Sequence, residues 1–183
     1  MASHALHSTV CCKDCSAPET IHGMDAHTVV TQFAPALARV VASYERNRAL
    51  RDDLLQEVFI AVITSLPRLA DPGKLKPFVL RIAHNRCLSH VARQMRERTS
   101  REPLEDFAAE EAGHDAVLIN AERGVRLLNA VQRLPLPYRQ VMTLILEEMS
   151  YEDIAETLGI SVANVGVRVN RAKQQLLRML GRD

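Results

Sequence analysis

The sequence predicts an all-α protein of two small helical domains joined by a flexible acidic linker. Three observations predict it. Apolar residues recur at three and four through most of the chain, and 7 glycines and 8 prolines in 183 residues leave room for long helices. Charge is laid out in blocks although the net charge is only +1. Arg86, Arg93, Arg96, Arg98 and Arg101 face the single Glu97; Glu102, Glu105, Asp106, Glu110, Glu111 and Asp115 follow without a Lys or Arg; and Arg168, Arg171, Lys173, Arg178 and Arg182 dominate the end. Two basic segments around an acidic one point to two nucleic-acid contacts and a connector that does not bind. The third observation is the stretch from Ser150 to Lys173, which has the spacing of a helix-turn-helix.

Residues 1–24 form an irregular extension without sustained periodicity. They hold His4, His7, Cys11, Cys12, Cys15 and His22. Cys12-x-x-Cys15 has the spacing of a zinc knuckle, so Cys11, Cys12, Cys15 and His7 are candidate ligands for zinc or another metal. With no second Cys-x-x-Cys pair, the competing reading is a mobile tail with free thiols, and no cofactor is required of the rest of the chain. No apolar run is long enough to span a membrane and no signal-peptide core is present, so membrane insertion is not expected and a cytoplasmic protein is.

The first domain is placed at 25–98. A helix over 25–47 carries Val29, Val30, Phe33, Leu37, Val40, Val41 and Tyr44, with a start or kink expected at Pro35. A second, over 50–66, puts Leu54, Leu55, Val58, Phe59, Val62, Ile63 and Leu66 on one broad face, and opens on Asp52, Asp53, Gln56 and Glu57. Asp71-Pro72-Gly73 marks a loop. A third helix, over 77–98, is expected to bury Phe78, Ile82, Ala83, Val91 and Met95, leaving Arg81, Asn85, Arg86, Ser89 and Arg93 outside. The linker occupies 99–120 and the second domain 121–183. That domain opens with helices carrying Val125, Leu128, Val131 and Leu134, then Val141, Leu144 and Ile145.

In the helix-turn-helix, Glu152 and Asp153 complement the positive end of a helix whose stripe is Ile154, Ala155 and Leu158. Gly159 suits the left-handed residue that ends it, and Ser161 can cap the next helix. There Val162, Val165, Val169, Ala172 and Leu176 share an inward face, opposite Val167, Asn170, Arg171 and Gln174. An ordinary helical hairpin is the competing reading, against which stands the wide polar face bearing Arg171, flanked by Arg168 and Lys173.

Asp52-Asp53-Leu-Leu-Gln56-Glu57-Val-Phe-Ile-Ala resembles the polymerase-binding signature of bacterial sigma factors. Phe78-Val-Leu-Arg-Ile-Ala-His-Asn85-Arg resembles the motif opening their −10-element helix, and the helix-turn-helix, preceded by Leu134-Pro135-x-x-Tyr138-Arg139, resembles their −35-binding motif. The three motifs stand in the family's order over roughly residues 25–180, and the chain resembles the compact extracytoplasmic-function (ECF) group. The resemblance implies a sigma region 2-like domain followed by a region 4-like one, and a factor that takes core RNA polymerase to promoter DNA and opens it. Asp53, Gln56 and Glu57, with Leu54, would dock on the clamp-helix coiled coil of the largest subunit. Lys74, Arg81, Asn85, Arg86, Ser89 and Arg93 would hold the −10 element, with Asn85 reading a flipped base and the arginines tracking phosphates. At the −35 element, Asn170, Arg171 and Gln174 would reach base edges, Val167 a thymine methyl, and Asn164, Arg168 and Lys173 phosphates. An anti-sigma partner is implied as well. This chain departs from the family pattern at Phe78 (commonly tryptophan), Ser89 (often acidic), and Gly166 and Val167 (often a basic residue and serine).

An enzyme is not expected, since no nucleophile triad, phosphate-binding glycine loop or metal-ligand helix motif stands out. The alternative from a different class is a stand-alone helix-turn-helix regulator that binds duplex DNA without core polymerase.

Overall fold

The computed structural model describes residues 20–21, 24–99 and 118–181. The Cys11, Cys12, Cys15 and His7 cluster, residues 100–117 of the linker and the last two residues lie outside the described residues. Two short antiparallel strands, β1 (Thr20–Ile21) and β2 (Met24–Asp25), stand where an irregular segment was expected. Everything else regular is helical: α1 (Ala26–Tyr44), α2 (Arg48–Ser65) and α3 (Leu75–Thr99) form the first domain, and α4 (Leu118–Arg133), α5 (Leu136–Leu146), α6 (Tyr151–Leu158) and α7 (Val162–Leu180) the second.

Helix α1 runs unbroken through Pro35, so the helix does not start there. Proline removes one backbone hydrogen bond. Burial of Val29 and Phe33 before it and of Leu37, Val40 and Val41 after it, all on one core, offsets that loss. Asn47 caps α2 by accepting from the Leu50 N–H. That helix buries Leu54, Val58, Ala61 and Val62, whereas Ile63 is 43% exposed rather than part of the core. Asp71 caps the turn that leads into α3 by accepting from Gly73 N–H at 2.8 Å. The buried face of α3 is rotated from the expected one. Val79, Leu80, Ala83, His84, Cys87 and His90 are buried, Phe78, Ile82 and Val91 are half-buried, and Met95 is 59% exposed. The apolar residues of α3 are too numerous to choose a face by themselves, and two buried histidines lie inside it.

Those histidines anchor α3 to α1. Tyr44 Oη lies 2.9 Å from His84 Nδ1, and His90 Nε2 lies 2.7 Å from the Glu45 carboxylate. Burial alone would raise the Glu45 carboxyl, but hydrogen bonds from His90, the Asn47 N–H and Gln94 outweigh it and hold the group below its ordinary value. His84 has no such compensation. Its Nε2 has no partner, and burial pushes its pKa down to about 4. Burial also raises the Cys87 thiol to about 12, so this cysteine is an inert core residue.

In the second domain, Val131 and Leu134 are buried as expected, and Val125 is 53% exposed. Ser150 caps α6 by accepting from the Asp153 N–H, and Gly159 ends it at φ 64°, a backbone conformation that favours glycine. Ser161 caps α7 through the Asn164 N–H. Val165, Val169, Ala172 and Leu176 are its inward face, while Val162 is 42% exposed. No helix of the described residues is long and apolar enough to cross a membrane.

The two domains are packed together. Val141, Leu144, Met149, Ile154, Val165 and Val169 belong to one continuous apolar cluster with the α1–α3 core. Complete burial of each leucine such as Leu37, Leu80 or Leu144 contributes about 2 kcal/mol. Polar contacts join the domains as well. Thr143 Oγ1 donates to Ser43 Oγ at 2.9 Å, Gln132 Nε2 donates to the Ala42 carbonyl at 2.6 Å, and Arg39 forks onto both carboxylate oxygens of Glu147 at 2.8 and 2.7 Å. The pairing with Glu147 holds Arg39 more firmly in its charged form.

Because the folded His84 pKa lies below its ordinary value of 6.5, the unfolded chain takes up a proton that the folded chain refuses. Stability from this group is complete above about pH 6.5 and is lost as pH falls towards 4, by about 3 kcal/mol in all. Urea unfolding between pH 7 and 5 should therefore show a steeper loss for the native protein than for His84→Gln. Parallel slopes would contradict the assignment.

Candidate nucleic-acid and polymerase interface

Helix α2 turns its first polar face fully outward. Asp52, Asp53, Gln56 and Glu57 are all exposed, which three- and four-residue spacing from Asp53 produces directly. Leu54 is not part of this surface. It is 1% exposed and sits in the core beneath it, because it falls on the opposite, apolar side of the helix. Two residues that sequence reasoning assigned to the core or passed over take its place. Ile60 is 62% exposed and Ile63 43% exposed, and both continue the Asp53–Gln56–Glu57 stripe by one and two turns. The available signal was an apolar face on α2 broader than one core contact needs.

The −10 candidates do not form one free surface. Asn85, Arg86 and Ser89 are exposed on α3, with Ser89 Oγ donating to the Asn85 carbonyl at 3.0 Å. Arg93 stands 3.8 Å from the Glu57 carboxylate and 3.2 Å from His90 Nδ1, which ties the α3 stripe to the edge of the α2 face. Lys74 and Arg81, by contrast, are engaged by the second domain. Lys74 Nζ donates to Asp153 at 2.8 Å and an Arg81 Nη to Glu156 at 2.9 Å. The Lys74 bond, with one from Ser150, holds the Asp153 carboxyl below its ordinary value. Phe78 is half-buried and packs against the core, which makes it a support for α3.

The second helix of the helix-turn-helix, α7, presents Val167, Asn170, Arg171, Lys173 and Gln174 to solvent, with Val167 48% exposed. Asn164 accepts from Arg168 Nε at 3.1 Å, so these two flanking groups are already ordered against each other. At Gly166 an added Cβ would meet only Tyr151 Cε2 at 3.8 Å, an ordinary contact. Packing of α7 on α6 therefore does not require glycine there. Among the described residues no group of three or more His, Cys, Asp or Glu is placed to hold a metal ion.

Electrostatically the molecule thus carries an acidic-amide face with an apolar extension on α2, a basic and amide stripe on α3, and a polar, basic face on α7. The first suits a basic protein surface, and the other two suit nucleic acid.

Comparison with known proteins finds two family regions in the chain. Residues 29–97 match the family model for Sigma-70 region 2, and residues 124–176 match Sigma-70, region 4. Among curated relatives, the RNA polymerase sigma factor CarQ of Myxococcus xanthus is 30% identical over 153 residues, covering 82% of this chain and 86% of its own length. The ECF RNA polymerase sigma factor SigE of Mycolicibacterium smegmatis is 33% identical over 156 residues, covering 81% of this chain; the match spans only 58% of that longer protein. The sigma factor RpoE in a co-crystal structure with the anti-sigma factor NepR from Bartonella quintana superimposes with a TM-score of 0.69 at 22% identity, covering 84% of this chain and 95% of that one. CnrH, solved with the cytosolic domain of CnrY, gives 0.60 at 23% identity, covering 86% and 88%. These two structures share the fold. Two sigma regions in the same order, on a chain that matches such relatives over most of its length, make this protein a member of the RNA polymerase sigma factors of the extracytoplasmic-function group.

Proposed function

We propose that the chain is a transcription initiation factor that binds core RNA polymerase, directs it to promoters through −10 and −35 contacts, and promotes DNA opening in the cytoplasm. The observation that carries this reading is the pairing of two exposed interfaces of different chemistry on two domains of one chain. The α2 face of Asp53, Gln56 and Glu57, extended by Ile60 and Ile63, combines hydrogen-bonding groups with apolar area, as a stable protein contact needs. The role assigned to it is docking on the clamp-helix coiled coil of the largest subunit. The α3 stripe of Asn85, Arg86, Ser89 and Arg93, with Lys74 and Arg81, would receive the −10 strand, where amides can read an unstacked base and cations follow the backbone. On α7, Asn170, Arg171 and Gln174 would read base edges in the major groove, with Val167 against a thymine methyl and Asn164, Arg168 and Lys173 on phosphates.

In this role the protein contributes binding energy and no covalent chemistry, so it acts without being an enzyme. The stand-alone regulator leaves residues 29–97 and the exposed α2 face without a purpose, and is the weaker reading. An anti-sigma factor is a fitting further partner, since both structural relatives were solved with bound proteins, one of them named as an anti-sigma factor.

Reconstitution with core polymerase and transcription from a promoter library tests the proposal: a stable complex and promoter-dependent transcripts are expected, and neither would appear for a stand-alone regulator. Asp53→Lys with Glu57→Lys should weaken core binding by at least about tenfold without changing thermal unfolding, because both side chains are exposed. Unchanged affinity would reduce that face to solvated surface. Arg171→Ala should cost about 1–3 kcal/mol at one −35 position and relax its sequence preference, whereas Lys173→Ala should weaken binding to all promoters alike and flatten its salt dependence. The reverse pattern would exchange the two roles.

A further inference from the structure

One buried polar cluster of the first domain belongs to neither proposed interface. Glu45, which ends α1, is 6% exposed. Its carboxylate accepts from the Asn47 N–H at 2.7 Å, from His90 Nε2 at 2.7 Å and from the Gln94 side-chain amide. His90 is itself 5% exposed. Its other ring nitrogen, Nδ1, faces Arg93 Nη2 at 3.2 Å, one turn further along α3. Arg93 in turn stands 3.8 Å from the Glu57 carboxylate on α2. The imidazole thus lies between a carboxylate and a guanidinium, with one nitrogen for each.

These neighbours fix where the ring carries its proton. A guanidinium has donors only, so Nδ1 must offer it a lone pair. The Glu45 carboxyl is held below its ordinary value and accepts only, so Nε2 must carry the hydrogen. We infer that His90, seated on Glu45, is the positioning residue for Arg93: as a neutral ring it holds the guanidinium by Nδ1, setting the last cation of the −10 stripe, and a second proton on Nδ1 releases it. The inference rests on the −10 role proposed for Arg93. That side chain is 52% exposed, so a phosphate can reach it while His90 keeps hold of one N–H. A cation already held loses less freedom on binding than a loose one. Glu45 faces the ring from α1, Arg93 from its own helix, and Glu57 on α2 meets it through Arg93. The added proton would stay buried against Glu45, away from DNA, while Arg93 would lose its acceptor and meet an N–H instead. Acid should therefore weaken strand binding. His84, with a pKa of about 4, stays neutral in the range where this happens.

The test uses holoenzyme reconstituted from core polymerase and the full chain. Its probe is a fluorescent single-stranded oligonucleotide with the non-template −10 sequence of a promoter that the native protein transcribes. His90→Gln keeps a terminal amide for Glu45 and loses the Nδ1 acceptor, and Arg93→Ala removes the cation. Each should lower affinity by about threefold at neutral pH, and the double variant should lose no more than Arg93→Ala alone. Losses that multiply would mean that His90 only supports the fold, and would overturn the inference. As pH falls from about 8 to about 5.5, the advantage of the native chain over Arg93→Ala should shrink towards nothing. A constant advantage over that range would overturn it too. Nitrogen NMR of the free chain with isotope-labelled histidine needs no DNA: a neutral His90 ring protonated on Nε2 is expected, its Nδ1 signal moving with Arg93→Ala. A ring protonated on Nδ1 would refute the positioning directly. Oligonucleotide binding undiminished by Arg93→Ala would instead remove the −10 role of Arg93, and this inference with it.

Discussion

The last turn of α1, from Val40 to Tyr44, is the contact on which both domains depend. Val40, Val41 and Tyr44 are buried in the core they share with α2 and α3. In the same turn the Ala42 carbonyl takes the Gln132 amide and Ser43 takes the Thr143 hydroxyl. Tyr44 also meets the buried His84 of α3, and burial raises its phenol well above the ordinary value, so it stays a neutral hydrogen-bonding group. One helical turn therefore joins both domains, through a buried apolar cluster that also takes in Val141, Leu144 and Ile154 of the second and through hydrogen bonds beside it. Arg139 marks where that seam is least satisfied: its Nε has no partner, and burial lowers its pKa.

Much of this architecture was readable from local signals. Ser150, Gly159 and Ser161 punctuate α6 and α7 as caps and turn residues should, and their geometry is as the residue types predict. The inward faces of α1 and α7 followed from three-and-four periodicity, with Val162, the first residue of α7, as an exception. Periodicity was weaker for α2 and α3. Both carry apolar residues around more than half of the helix, so the choice between Leu54 as a docking residue and as a core residue depended on tertiary packing. Packing sent Leu54 inward and left Ile60, Ile63 and Met95 outside. Histidine is a residue type of intermediate burial, and the partners supplied by Tyr44 and Glu45 explain why both histidines of α3 lie inside. The seam itself was invisible, because contacts such as Arg39 with Glu147 join residues 108 apart with no local signature.

For the candidate site, the sequence named residues on three helices and misjudged how free some of them are. Spacing alone puts Lys74, Arg81, Asn85 and Ser89 along one edge, and nothing in that spacing says that two of the four meet carboxylates from α6. The exposed α2 face and the α7 face, in contrast, remain open in the packed molecule. The packing thus leaves Asp53, Gln56 and Glu57 open while Lys74 and Arg81 are held by carboxylates of the second domain.

The central claim, that the exposed α2 face carries the chain to core polymerase, is tested most directly by an affinity. Ile60 and Ile63 are 62% and 43% exposed on that face. Ile60→Ala with Ile63→Ala should weaken binding to core polymerase by at least about tenfold while thermal unfolding stays unchanged. Equal affinities for the native and substituted chains would contradict the account.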